Sequence, residues 1–451
     1  MCLGIRKRKL LNLYEYVAMK RINILFLFLL IGGTVFSQEY KLEKVTVVSR
    51  HGVRAPLDEY LSTLDEMTGD GYKWTRWSVP GSHLTLRGGA LETLFGEYFR
   101  LWLENEHFFE NCVNEHDVYF GASSKQRTIA TARAFAAGLF PLMDVPVDYK
   151  LTADSTVGFL DPDYLPLLNN ICSADGYFDT NAFKQEAYRE LGQMMSPQYC
   201  FLEKILRMKN SNYAKKKGVA HFSDSIGVCL NFYNETGVRL EPTMMGGLKD
   251  ANMASDAFIL QYYEMSNDRE AAFGRKLSFN DWRKLAAIKD CYGHVLFSAA
   301  PIISVNVSHC MLKRIHSEMI PGGHKFAFFC THDSMIEALL AALRVEEYEL
   351  DGTIEKKTPI GFKLVIEQWV ESQHQNPHKY VKVRLMYQSS EQIREMRPMD
   401  LTNPPMSCEL SFTGLKKTLN GMYDYEDFMN HLQKSIDAYG ATAQGQHPWN
   451  Q

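Results

Sequence analysis

Seven consecutive residues, Arg50-His51-Gly52-Val53-Arg54-Ala55-Pro56, carry the side chains best suited to chemistry in this 451-residue chain. A guanidinium stays charged at any working pH and presents a planar fork of N–H donors that matches the oxygens of a phosphate. Two of them flanking one imidazole can hold a phosphoryl group beside a ring nitrogen. Their charge also disfavours imidazolium, so His51 is expected to stay neutral and nucleophilic in mildly acidic solution. The preceding run Val45-Thr46-Val47-Val48-Ser49 reads as a strand, and Gly52 allows a sharp turn just after it. Arginines paired with surface carboxylates around a loop histidine are the plain alternative. Five filled positions of an R-H-G-x-R-x-P pattern make coincidence an event on the order of one in ten thousand.

A phosphohistidine mechanism also needs further phosphate donors and an acid for the leaving oxygen. Lys325 to Cys330 reads as a buried strand, followed by Thr331-His332-Asp333-Ser334 and a helical run from Met335 to Leu343. Ser334 and Glu337 have the spacing of a capping box, which places His332 and Asp333 between a strand end and a helix N-terminus, where phosphate is well received. Ligands of open α/β sheets sit at such strand ends. Taken alone, the His-Asp pair reads first as a helix cap. Arg127, in Ser124-Lys125-Gln126-Arg127-Thr128 ahead of a small-residue helix from Ile129 to Leu139, reads by itself as a surface charge.

Together the two motifs resemble those of the histidine acid phosphatases, a branch of the phosphoglycerate-mutase-like superfamily. The resemblance runs from about Val45 to Leu410 and is most marked toward bacterial periplasmic glucose-1-phosphatases and phytases. Trp77 to Gly81, Gln126 to Thr128, Gln261 to Tyr263, Thr358 to Gly361 and Tyr387 to Ser389 all look like that branch. It implies that Arg127, followed by Thr128 and by Phe135-Ala136-Ala137-Gly138-Leu139, is a third phosphate clamp. His51 is then the nucleophile, Arg50, Arg54, Arg127 and His332 bind the phosphate oxygens, and Asp333 is the proton donor. The implied reaction is hydrolysis of a small-molecule phosphate monoester, a sugar phosphate or phytate, through phosphohistidine and without a cofactor or metal. A phosphomutase and a non-catalytic binder of phosphorylated ligands are the competing readings. An export signal speaks against the first, and intact His51 and Asp333 against the second. Three positions depart from the pattern: Thr331, Met335 and Phe362, of which the first two are expected to touch the pocket wall.

Composition sets the outer bounds. With 45% hydrophobic residues the chain can bury a large core, and a net charge of −4 supplies no global field for nucleic acid or an anionic membrane. Lys215-Lys216-Lys217 reads most simply as a solvated loop, with a tether for a polyphosphorylated substrate as the sharper alternative. Residues 1–37 read as a signal segment, the signal peptide proper starting at about Met19. Met19-Lys20-Arg21 form its basic region, Ile22 to Ile31 its apolar region, and cleavage is expected before Gln38. A periplasmic or secreted location follows, with no membrane attachment after cleavage. Loss of the leader removes Cys2 and leaves an even number of cysteines, which suggests disulfides. Cys330, inside the expected strand, is the one expected to remain a free, inert thiol.

The element pattern is that of an α/β protein, with a core sheet flanked by helices and an inserted, mainly helical cap. The boundaries read as 38–162 and 301–451 for a split catalytic core and 163–300 for the cap. Within the first core segment Thr85 is expected to cap a helix through Asn105 whose Leu91, Leu94, Phe95, Tyr98 and Trp102 share one face. The insertion is expected to close over the strand ends, recognising substrate while the core does the chemistry.

Overall fold

The computed structural model describes residues 40–109, 113–150, 163–166, 185–225, 241–372, 377–444 and 446–449. Residues 42–370 with 378–451 form one compact unit. A second, 1–41 with 371–377, is described only at Tyr40, Lys41, Glu371, Ser372 and Pro377. The leader, Cys112, Cys172 and Cys229 lie outside the described residues.

A seven-stranded mixed sheet forms the centre: β1 (Tyr40–Arg50), β2 (Val118–Ala122), β3 (Phe326–Thr331), β4 (Lys363–Glu371), β5 (Lys379–Tyr387), β6 (Met406–Glu409) and β7 (Tyr423–Asp424). The spatial order is β2-β3-β1-β4-β5-β6, with β7 on β5. β3 runs parallel to both of its neighbours, β1 and β2, while β5 is antiparallel to β4, β6 and β7. The β1 and β3 runs are apolar on both faces, as expected of strands covered by helices on each side. Phe326, Phe328, Phe329 and Cys330 are all fully buried.

The helices that position the site are α1 (Asp58–Met67), α2 (Leu86–Asn105), α3 (Gln126–Leu139), α4 (Gly247–Glu264), α5 (Phe279–Gly293), α6 (Pro301–Met319) and α7 (Asp333–Ala342). Thr85 caps α2 through its side chain, which accepts from the Gly88 N–H. Phe95, Phe99 and Phe135 of α2 and α3 pack on Phe120, Phe326 and Phe328 of one sheet face, with the Phe135 and Phe328 rings stacked at 4.5 Å. Gly138 explains the small-residue pattern of α3: a Cβ there would lie 2.1 Å from the Thr93 carbonyl oxygen, so only glycine allows α2 and α3 this approach. On the other face Met311, Leu312 and Ile315 of α6 and Met335, Ile336 and Leu339 of α7 cover Val48, Ala327 and Phe329. A separate cluster, centred on Phe258 and Leu260 of α4 and Trp282 and Leu285 of α5, holds the mainly helical segment together. This segment packs in the same compact unit as the sheet.

Three sequence expectations change. The Ser334–Glu337 capping box does not form: α7 starts at Asp333 with His332 as its N-cap residue and no side-chain cap. Starting earlier places Asp333 and Glu337 four residues apart inside the helix, on one face. Thr331 and Met335 do not reach the pocket wall, since both are fully buried. Thr331 ends β3 with its hydroxyl donated to the Tyr164 carbonyl, and Met335 faces the sheet. Finally, α3 begins at Gln126, so Arg127 lies within its first turn. Among the described cysteines Cys200, Cys291, Cys330 and Cys408 carry free thiols, and burial pushes Cys330 well above the usual thiol range.

Candidate active site

Register brings the motifs together. Arg50 of β1 lies opposite Thr331 of β3, so His51 and His332, the next residues of parallel strands, leave the sheet side by side with ring centroids 5.5 Å apart. Ala122 of β2 pairs with Cys330, which brings Ser123 to the same edge and starts α3 with Arg127 beside His332. The site therefore lies at the carboxyl ends of three adjacent strands, where side chains from separate segments converge.

His51 is 2% exposed, and its Nδ1 lies 2.9 Å from the Gly52 carbonyl oxygen. A carbonyl only accepts, so Nδ1 carries the proton and Nε2 keeps its lone pair. Burial, followed by Arg127, Arg54, His332 and Arg50, holds the imidazole well below its ordinary pKa, which agrees with a neutral nucleophile in mild acid. The backbone around it is pinned: Gly52 N–H donates to the Thr131 hydroxyl and Gly361 N–H to the His51 carbonyl. Behind this turn the fully buried Lys363 ammonium donates to Glu92 at 2.8 Å, to Ser49 and to the Gly361 carbonyl, and sits 4.4 Å from the Phe95 ring centroid. Burial still raises the Glu92 carboxyl despite Lys363.

The four proposed oxygen ligands sit differently. Arg54 donates to Asp256 at 2.9 Å and to its neighbour's carbonyl, Ala55 O. Arg127 is half-buried and donates to the Ser82 carbonyl and, at 3.3 Å, to His332 Nδ1. Burial and Arg54 lower its guanidinium to about 10, leaving it charged at any acidic pH. His332 accepts at Nδ1, so its Nε2 carries the proton and donates to the Ser123 hydroxyl at 3.1 Å. Burial and Arg127 keep this ring neutral too. Arg50 is 1% exposed and does not line the cavity; its Nη1 donates to Glu355 at 2.9 Å and to the Thr358 carbonyl, and its Nη2 lies 3.3 Å from Asp333. Arg50, Arg54 and Arg127 each retain one buried Nε–H with no partner among the described residues. Orphaned buried donors are rare in folded proteins, and an anion in the cavity would satisfy those of Arg54 and Arg127, the two of these arginines that line it.

Asp333 opens α7 and is 23% exposed. It accepts from the Lys289 ammonium of α5 and faces Arg50. Burial alone would raise its carboxyl, but Arg50 and Lys289 outweigh it and hold Asp333 well below the usual carboxylate range. The site without substrate thus has an anionic Asp333, not one that already holds a proton.

These groups line a cavity of about 250 Å³ whose wall also contains Glu59 and Tyr60 of α1, Lys125, Glu241, Lys249, Asn252 and Asp256 of α4, Tyr292 and Glu337. Motif reading did not find Lys289, Asp256 or Glu337. They come from elements remote from the motifs or, for Glu337, from the next turn of a helix whose start was placed differently. Among the described residues no group of three or more histidine, cysteine or carboxylate side chains is arranged to hold a metal ion.

Comparison with known proteins identifies the family and the fold. Residues 41–386 match the model of the histidine phosphatase superfamily, branch 2. The glucose-1-phosphatase of Providencia rettgeri is 32% identical over 408 residues, covering 88% of this chain and 92% of that one. Phytase AppA of Escherichia coli is 29% identical over 88% of this chain and 94% of its own length. Among solved structures, the apo form of Hafnia alvei phytase superposes with a TM-score of 0.75 at 24% identity, covering 88% of this chain and 98% of that one. The strand-end histidines, the arginines around them and the matched length converge: the chain belongs to the histidine phosphatase superfamily, branch 2, and is a histidine acid phosphatase that acts on phosphate monoesters.

Proposed function

We propose that the enzyme hydrolyses sugar monophosphates in preference to phytate, through a phosphohistidine on His51. The observation that carries the mechanism is the lone pair of His51 Nε2, freed by the Nδ1–H bond to Gly52 and set among arginines with unpartnered Nε–H groups. In this reading phosphate enters against Arg54 and Arg127, while Arg50 adds charge from behind. Arg127 exchanges its bond to His332 for phosphate oxygen, so that His332 can take up a proton and donate as well. Nε2 attacks phosphorus as the ester oxygen leaves with a proton from Asp333, and water then cleaves the P–N bond. Phosphoryl transfer depends chiefly on positioning and charge stabilisation, which the arginines supply in place of a metal.

Charge around the cavity supports the substrate preference. Arg54 and Lys289 are paired with Asp256 and Asp333, leaving Arg127, Lys125 and Lys249 against Glu59 and Glu241 in the wall. That surplus suits one phosphate and falls short of six, whereas Glu59, Glu241 and Asn252 can hydrogen-bond hydroxyls. Lys216 and Lys217 are paired with Glu66 and Asp250 and do not line the cavity, which argues against a polyphosphate tether. A Hafnia alvei phytase has been solved with myo-inositol hexakis sulphate, so the fold can admit such a ligand. The segment read as the cap, residues 163–300, serves in this proposal for substrate recognition, and the N-terminal apolar segment directs export to the periplasm or medium.

One assay series tests the reading. Phosphate release should be most efficient with glucose 1-phosphate, weaker with inositol hexakisphosphate, and unchanged by EDTA. Lowering the His51 pKa keeps the nucleophile neutral further into acid, so the optimum should lie at roughly pH 4 to 6. A higher kcat/KM for inositol hexakisphosphate would reject the substrate preference. Loss of activity on chelation with recovery on adding a divalent ion would reject the arginine-only mechanism.

A further inference from the structure

We propose that Glu337 is the proton store of this active site, sharing one proton with Asp333 and delivering it there when phosphate arrives. The inference rests on the phosphatase reading above and supplies what that reading lacks, the origin of the proton on an Asp333 that is anionic in the resting site.

Asp333 and Glu337 stand four residues apart on one face of α7, so their side chains are neighbours, and both line the cavity. Glu337 is 8% exposed. Its Oε1 accepts from the Thr358 hydroxyl at 2.9 Å, while its buried Oε2 has no partner among the described residues. A carboxylate oxygen left so would be strongly disfavoured, whereas a carboxylic acid places its O–H there, next to the cavity. Space for this side chain is provided by Gly293 at the end of α5, where a Cβ would stand 2.1 Å from Glu337 Oε2.

The surrounding charges agree. Burial raises the Glu337 carboxyl to about 8; Lys289 pulls it down, and Asp333 and Asp290 push it up. Tyr348 also feels Glu337 and is itself held neutral by burial. On the π-helical turn after α5, His294 is coupled to Glu347 and Lys357, and α6 contributes apolar Ile303 and Val307 beside Ala338. Lys289 stands in the field of both carboxyls and bonds Asp333. In the resting site the proton therefore resides on Glu337 and the charge on Asp333. A phosphate dianion adds negative charge at Asp333 and reverses that order.

Proton movement then balances. The Glu337 proton passes to Asp333, directly or through one water. Nε2 of His51 bonds to phosphorus, the P–O bond breaks, and the leaving oxygen takes the proton from Asp333. In the second half, water attacks phosphorus, the P–N electron pair returns to Nε2, and the proton lost by that water returns to Asp333 and then to Glu337.

Glu337→Gln keeps the size and the bond from Thr358 but cannot release a proton. The basic limb of its kcat profile with glucose 1-phosphate should move acidward by roughly one pH unit or more, with kcat near neutrality falling at least about tenfold. With p-nitrophenyl phosphate, whose leaving group hardly needs a proton, kcat should change less than about twofold. Gly293→Ala, which pushes the Glu337 carboxyl from its position without removing the ionisable group, should shift the limb in the same direction and covers the case that Glu337→Gln fails to fold. A purely structural Glu337 would lower both substrates equally at every pH. That result, or wild-type pH limbs in both variants, overturns the proton store and leaves the phosphatase reading intact; phosphate release by His51→Ala would instead overturn the mechanism itself.

Discussion

His51→Ala is expected to lower kcat at least about 10³-fold on every phosphate monoester, because no other nucleophile shares its place at the strand edge. The ring is oriented before substrate arrives, with Nδ1 tied to Gly52 and Nε2 unprotonated. Its low pKa means that acid does not silence it until well below the ordinary imidazole range. His332 does not replace it: its Nε2 proton is engaged by Ser123, and its Nδ1 is held by Arg127 before phosphate binds and by a proton in the proposed complex. Wild-type protein quenched in alkaline detergent during turnover should carry phosphate that is stable to base and released by acid, and His51→Ala should carry none. Retention of a tenth of wild-type kcat by the variant would show that the nucleophile lies elsewhere.

Asp333→Asn separates proton delivery from charge. An alkoxide leaves badly unless protonated as the P–O bond breaks, whereas p-nitrophenolate leaves readily, so the variant should lose about 100-fold or more on glucose 1-phosphate and less than about tenfold on p-nitrophenyl phosphate. The amide also leaves Lys289 and Arg50 without their carboxylate, which raises positive charge beside the phosphate and should lower KM for both esters. Equal losses in kcat on the two substrates would assign Asp333 to holding Lys289 and Arg50 in place and would remove it from proton transfer.

Neighbours of the motif side chains explain why the site was only partly legible. The alternation-free apolar runs ending at Ser49 and Cys330 announce buried parallel strands; β3 lies within one residue of its run, whereas β1 starts at Tyr40, five residues ahead of Val45. β2 is five residues long between loops and carries little periodicity, so its presence at the outer edge of β3, and with it Ser123 beside His332, emerged only with the sheet. Thr331, next to His332, and Met335, two residues after Asp333, point into the core because strand alternation and the helical period send nearby side chains in different directions.

Sequence alone determined the family and nominated His51 as nucleophile with Arg50 and Arg54 beside it, since these depend on residue types at short spacing and on strands whose burial is written in unbroken apolar runs. Tertiary structure decided which of those groups reach the cavity and in what protonation state. Arg50 is drawn behind the cavity by Glu355, Asp333 is held anionic by Arg50 and by Lys289 from α5, and Glu337 is raised by burial in the space left by Gly293. Each outcome is a balance of desolvation against a charge brought from a distant segment, and that balance exists only once the chain has packed.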